Sequence, residues 1–370
     1  VLHNYVTTKK TFSGSPKTVA LVGARGYSGL ELARLLMNHP ETHFSACYSH
    51  SQSHDKSFEL SDVFASPNPL PPVLPLSELM QTEAKTVFLA TPIEASLELA
   101  PLLLSRGIHV IDLSGAFRLE AQDYPAWYGL HPTQSQSQLL TQAHYGLSPF
   151  SSPVTAQPAL IANPGCFATA ALMALVPLLR RKLVQEDSIV IDAKSGTTGA
   201  GKKASESQLY AEVDGECRPY RVAKHQHLPE IKRYLGLLAQ SEADLAFTTH
   251  LLPVRRGILC SIYGRLEANV SASQIHDAFT ASYKEYPLAS WGEIDGTDPQ
   301  SSAKPWLLSL KRVVGSPRVQ IAYSVSDRRI YLFSLIDNLL KGAASQAIEN
   351  FNRLHDLPVS TGLQFMEGTL

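Results

Sequence analysis

The chain has 370 residues, 44% of them hydrophobic and 18% charged, with a formal net charge of -1. Such a length suggests two domains, or one domain with a large insertion. A near-neutral balance gives no electrostatic footprint for nucleic acid or an anionic membrane surface. With no apolar run of about 18 residues or more, neither a nucleic-acid partner nor a membrane span is expected.

Residues 1–16 are polar and lack the apolar core of a secretory signal, so they are expected to be flexible. A cytoplasmic location is expected. A cleaved organelle-targeting segment stays open, because the sequence does not begin with Met. The four cysteines, Cys47, Cys166, Cys217 and Cys260, lie far apart and form no CxxC pair. That spacing suggests neither a disulfide framework nor a zinc site, and no metal is expected.

In chain order, Lys17 to Gly23 (KTVALVG) is a short apolar run with β-branched residues, and GLELARLLMNHP follows with leucines at helical spacing. THFSACYS predicts a second strand. Lys85 to Thr91 and His109 to Gly115 predict two more, separated by the helical stretch EASLELAPLLLSRG with its one proline. Strands alternating with helices imply right-handed crossovers and a parallel sheet, an α/β fold of the Rossmann type. Beyond residue 150, ALIANPGC predicts a strand entering the helix FATAALMALV, and SIVIDAKSG a further strand. ADLAFTTHLLPV and GILCSIYGRLE predict longer strands of an antiparallel α+β arrangement. Gly292 to Ser316 is rich in Gly, Pro, Ser and Asp and predicts a loop or insertion. The last strong helix is IDNLLKGAASQAIENFNRL.

The first strand runs into GARGYSG, which puts glycines at Gly23, Gly26 and Gly29. A strand-to-helix turn of this kind brings backbone N–H groups to a pyrophosphate, so Gly23, Ala24, Arg25, Gly26, Tyr27, Ser28 and Gly29 are expected cofactor contacts. At the end of the second strand stand Ser49, His50 and Ser51 rather than a carboxylate. Hydroxyls and an imidazole can donate to a 2′-phosphate, which favours NADP(H) over NAD.

The strongest chemical signal runs from Asn163 to Pro177, NPGCFATAALMALVP. Pro164 and Gly165 end a strand and Cys166 opens a helix, where unpaired N–H groups and the helix dipole favour thiolate. Thiolate is the competent nucleophile towards an acyl phosphate. In HQHLPEI, His225 and His227 would point the same way if extended, and either could take the thiol proton at neutral pH. Arg118, in DLSGAFR, is a bidentate partner for phosphate or carboxylate, with Arg221, Arg255 and Arg256 as further candidates. SGTTGAGKK holds Gly196, Gly199 and Gly201 in a loop able to approach a flat ring.

From Ile161 to Pro177 the chain resembles, without a gap, the active-site signature of the N-acetyl-γ-glutamyl-phosphate reductases. The likeness continues through GARGYSG, DLSGAFR, WYGLH, SGTTGAGK, HQHLPEI and IDNLLKGAASQA. It implies an NADP-binding Rossmann domain (17–165 with 335–370) and an α+β catalytic and dimerisation domain (166–334), in a homodimer or homotetramer. It also implies NADPH-dependent reduction of N-acetyl-γ-glutamyl phosphate through a Cys166 thioester, in arginine biosynthesis. His227 would work with the cysteine, while Arg118, His225, Asn163 and Ser195 would hold substrate. Ser114, Gly196 and Asn338 would join the cofactor contacts. Two other readings share these features: a reductase of an aspartate-semialdehyde or lysine-pathway substrate, and an NADP-binding regulator without chemistry.

Overall fold

The computed structural model describes residues 15–49, 58–294 and 308–363. His50, Ser51 and most of the expected insertion therefore lie outside the described residues.

The first half is built on seven strands: β1 (Lys17–Val22), β2 (Thr42–Ser49), β3 (Val73–Pro75), β4 (Thr86–Leu89), β5 (His109–Asp112), β6 (His144–Tyr145) and β7 (Leu160–Ala162). They run in the order β3-β2-β1-β4-β5-β7-β6, every pairing parallel. Parallel strands covered on both faces need near-continuous apolar runs. β4 is buried along its whole length, and β1 over its last four positions. Helices α1 (Tyr27–Met37) and α2 (Ile93–Ser105) make the crossovers, with α3 (Tyr124–Trp127) and α4 (Gln134–Gln142) in the later connections. Strand order reverses between β1 and β4, so a crevice opens there beyond the carboxyl ends of the strands.

α5 (Cys166–Leu179) leaves the carboxyl end of β7 and enters the second half. It is apolar all round, as a core helix must be. Each of its residues is buried except Cys166. Beyond it come β8 (Ile189–Ser195), α6 (Tyr210–Val213), β9 (Arg218–Tyr220), α7 (His227–Ala239), β10 (Leu245–Leu251), β11 (Ile258–Arg265), α8 (Ala272–Tyr283), β12 (Ala289–Glu293), β13 (Val319–Ser326) and β14 (Arg329–Ile336). The order is β12-β13-β14-β11-β8-β10-β9. This sheet is mixed rather than antiparallel throughout, since β8 pairs parallel with β10 and β12 with β13. A parallel pair needs a long crossover, and between β8 and β10 the chain supplies it with α7. One face carries α5 and the helices beside it. On the other, Val190 and Tyr263 are exposed and Asp192 and Lys194 half-buried.

Gly292 and Glu293 complete β12 instead of opening a loop, and Leu310–Arg312 form one tight helical turn. The C-terminal stretch is likewise not one helix. Ile336 ends β14, Leu340–Ala344 make a π-helical turn, and α9 (Ser345–Leu354) follows. Asp337 causes the delay: its Oδ1 accepts the N–H groups of Leu339 and Leu340, and its carbonyl accepts that of Gly342. α9 lies back on the first sheet, the Phe351 ring 6.0 Å from Phe88 and 5.5 Å from His39.

Candidate active site

β1 delivers the chain to Gly23, which holds φ +93° against the end of β4. A Cβ there would run into the Ala90 carbonyl, so both the backbone sign and the space demand glycine. Gly26 differs, because beside it lies open space with only the Gly23 carbonyl oxygen at 3.8 Å. It caps α1 without any side-chain hydrogen bond, leaving first-turn N–H groups free to meet an anion. Gly26 to Gly29 form one wall of a cavity of about 860 Å³. Ser195, Gly196 and the turn to Gly201 form another, and Cys166, Arg118, His225 and His227 also line the cavity. The room, the free helix end and the exposed glycine backbone fit a dinucleotide.

Cys166 is pulled in two directions. The Arg118 guanidinium and the backbone N–H groups of Phe167 and Cys166 favour thiolate, yet burial outweighs them and pushes the thiol up to about 11. Burial thus opposes the thiolate that the helix dipole favours. Gly342, in the π-helical turn, backs it so closely that a Cβ there would lie 2.6 Å from Cys166 Cβ.

The two histidines are not extended: His227 opens α7. Their rings nevertheless come within 4.8 Å of each other, both edge-on to Phe167. His225 Nδ1 accepts the His227 backbone N–H at 3.2 Å, which puts the His225 proton on Nε2. Burial, aided by nearby positive charge, lowers His225 to about 2 and His227 to about 3. Both are neutral imidazoles. His227 Nε2 sits over Gly165, where a Cβ would collide with it and lie 2.8 Å from Arg118 Nη1. His227 Nδ1 is buried with no hydrogen-bond partner among the described residues.

Arg118 is 6% exposed and already engaged. Its Nε donates to the Asn163 carbonyl at 2.8 Å and its Nη2 to that of Leu113 at 2.7 Å. Nη1 faces Glu230 at 3.6 Å. Glu230 is a residue that the sequence reading missed. Fully buried, it accepts the Gly165 N–H and the Tyr145 hydroxyl, each at 2.8 Å. Its spacing of three from His227 on a helix puts both on one face, which was the available signal.

The other expected residues divide. Tyr27, Ser28, Ser195, Gly196 and Asn338 line the cavity, while Gly23, Ala24, Arg25, Ser49, Ser114 and Asn163 do not. Asn338 lines it with an amide already in use, Oδ1 accepting from Gly257 N and Nδ2 donating to Thr198 Oγ1. The Asn163 amide bonds Ala343 O and Asn350, beneath the site rather than in it. Ser114 Oγ donates to the buried Asp112 carboxylate. Arg25 is exposed, its guanidinium 5.8 Å from the Phe58 ring centre. Among the further arginines, Arg221 borders the cavity and Arg256 does not. The described residues contain no group of three or more His, Cys, Asp and Glu side chains able to hold a metal, and no helix long and apolar enough to cross a membrane.

A glycine-walled crevice meeting a cysteine–histidine site is the arrangement of a dehydrogenase. Family models agree in class: the semialdehyde dehydrogenase NAD binding domain matches residues 18–157, and the semialdehyde dehydrogenase dimerisation domain matches 166–338. Solved structures share the fold. Aspartate semialdehyde dehydrogenase II from Vibrio cholerae, complexed with ASA, superposes with a TM-score of 0.68 at 16% identity, over 93% of this chain and 99% of that one. The Candida albicans aspartate semialdehyde dehydrogenase with NADP gives 0.58 at 16% identity, over 92% and 99%. Among curated relatives, N-acetyl-γ-glutamyl-phosphate reductase of Brevibacillus brevis is 41% identical over 93% of this chain and 97% of its own length. That of Bacillus cytotoxicus is 39% identical over 94% and 98%. The chain belongs to the N-acetyl-γ-glutamyl-phosphate reductase family.

Proposed function

We propose that this chain reduces N-acetyl-γ-glutamyl phosphate to N-acetylglutamate 5-semialdehyde with NADPH, releasing phosphate, as a cytoplasmic step of arginine biosynthesis. The observation that carries this reading is Cys166: the one residue of α5 that is only half-buried opens into the cavity lined by Gly26 and His227.

Neutral His227 takes the Cys166 proton as sulfur attacks the acyl carbon. The C–S bond forms, the C–O bond to phosphate breaks, and phosphate leaves. Backbone N–H groups at the start of α5 stabilise the oxyanion, and the Arg118 charge draws the phosphate to the cavity floor. NADPH, held along the Gly26 to Gly29 backbone, would supply the hydride for reduction at the acyl carbon. His227 then returns its proton to sulfur as the C–S bond breaks and the aldehyde departs. His225, with its proton on Nε2, donates to the substrate, and Ser195 lies alongside.

The Gly26 to Gly29 backbone would hold the pyrophosphate, Ser49 would lie nearest a 2′-phosphate, and Gly196 would meet the nicotinamide ring. The exposed face of the second sheet, with Val190 and Tyr263 on it, suits pairing with a second copy in a homodimer or homotetramer. Cys166→Ala tests the chemistry. Turnover should fall to background while NADPH still binds, and undiminished turnover would refute the covalent route.

A further inference from the structure

Arg256 stands in the turn between β10 and β11, in the second half of the molecule, and reaches across to the first. Its Nη1 meets Glu31 Oε1 at 2.6 Å and its Nη2 meets Asp337 Oδ1 at 3.0 Å. Glu31 belongs to α1, little more than one turn beyond Gly26. These are not surface pairs: the side chains of Arg256, Glu31 and Asp337 are 18%, 17% and 0% exposed. Charge-assisted bonds so shielded hold geometry far better than exposed ones.

The backbone around Arg256 also carries the cavity wall formed by Gly196 and the turn to Gly201. Gly196 N donates to Gly257 O and Thr197 N to Val254 O, each at 2.9 Å, and Thr198 N donates to Arg255 O at 3.1 Å. The Thr198 hydroxyl doubles that last bond at 2.7 Å. Contact is so close that a Cβ on Gly196 would lie 2.7 Å from Arg256 N. Asn338, next to Asp337, bridges Gly257 N and Thr198 Oγ1. One side chain thus ties the helix below the dinucleotide loop to the turn that supports Gly196.

We propose that Arg256 is a positioning residue that sets the distance between these two walls, and so places the nicotinamide over the acyl group on Cys166. This rests on the reduction proposed above. Cysteine acylation uses Cys166, His227 and Arg118, none of which Arg256 bonds, so it should be largely indifferent to Arg256. Hydride transfer requires both walls and should not be.

Two half-reactions separate these steps in Arg256→Met. Exchange of labelled phosphate into N-acetyl-γ-glutamyl phosphate without cofactor reports C–S bond formation and reversal at Cys166. It should run about as fast as in the wild type. NADPH-dependent turnover should fall about 100-fold, as expected for a misplacement of about 1 Å, and the isotope effect with 4-deuterated NADPH should rise. Direct titration should give weaker NADPH binding. Glu31→Gln, which weakens the cross-domain pair and the Glu31–Arg34 pair within α1 but leaves Arg256 on Asp337, should show a smaller loss with the same selectivity, and it serves if the Met variant does not fold. Parallel loss of exchange and turnover would mean general structural damage and would overturn the proposal, as would unchanged turnover and isotope effect. Absence of exchange in the wild-type enzyme would instead overturn the reaction itself, and the proposal with it.

Discussion

Burial pushes the Cys166 thiol up to about 11 and the His227 imidazole down to about 3, so at both residues it disfavours the charged form. On the proposed mechanism thiolate is made during attack, with His227 as base. Gly165 is the residue on which this arrangement turns. Its N–H is held by Glu230, and its missing side chain leaves the space that His227 Nε2 and Arg118 Nη1 occupy. Gly165→Ala keeps an allowed backbone, φ -71° and ψ 152°, but forces both buried side chains aside. It should cost about 1–3 kcal/mol of stability and lower kcat about 100-fold or more. Chemical denaturation and steady-state kinetics would check both, and a fully active Ala variant would show that the packing around Gly165 is dispensable. Cys166 itself was legible in the sequence, because a Pro-Gly turn before an apolar helix is a local pattern. Its protonation state was not, since burial comes from Gly342, Phe167 and α7, segments scattered along the chain.

Among elements, those with a clear period were readable. β1, α1, β2, β4 and β5 fall where apolar runs and leucine spacing predicted them, and a glycine turn directly after the first strand pointed to the crevice between β1 and β4. Two elements resisted. IDNLLKGAASQAIENFNRL has helical composition throughout, but Asp337 captures the first N–H groups with its side chain, and a π-helical turn results. That turn lets Gly342 back Cys166, a contact without local signature. His225 and His227 were expected to share a face by lying in a strand; instead, a bend before α7 brings the rings together. The expectation of neighbouring imidazoles holds, although the geometry behind it differs. Glu230 became meaningful only once α7 was seen to point its first turn at Gly165.

Over the whole molecule, buried histidines couple stability to pH. His225, His227 and His355 are lowered to about 2, 3 and 4, chiefly by burial. Below pH 6.5 the unfolded chain takes up protons at these positions and the folded one does not. Stability therefore falls as pH drops from 6.5 towards 4. His39, His109 and His144 are lowered as well; the buried carboxyls of Asp112 and Glu349 are raised and oppose this trend, but six imidazoles face two acids, one of them paired with Lys341. The melting temperature should decline between pH 6.5 and 4.5, and His355→Gln, remote from the site, should flatten the slope. A rising melting temperature over that interval would be inconsistent with neutral buried imidazoles. Domain-scale features were read partly from periodicity and partly from resemblance, because the return of α9 to the first sheet is a long-range contact that no window of sequence contains.

The most direct measurement is turnover in reverse: N-acetylglutamate semialdehyde, phosphate and NADP⁺, followed by the appearance of NADPH, with aspartate semialdehyde and NAD⁺ as comparisons. Phosphate-dependent reduction of NADP⁺ with the acetylated substrate, and not with aspartate semialdehyde, is the predicted result. Activity with aspartate semialdehyde alone, or none with any substrate in a folded sample that binds NADPH, would contradict it.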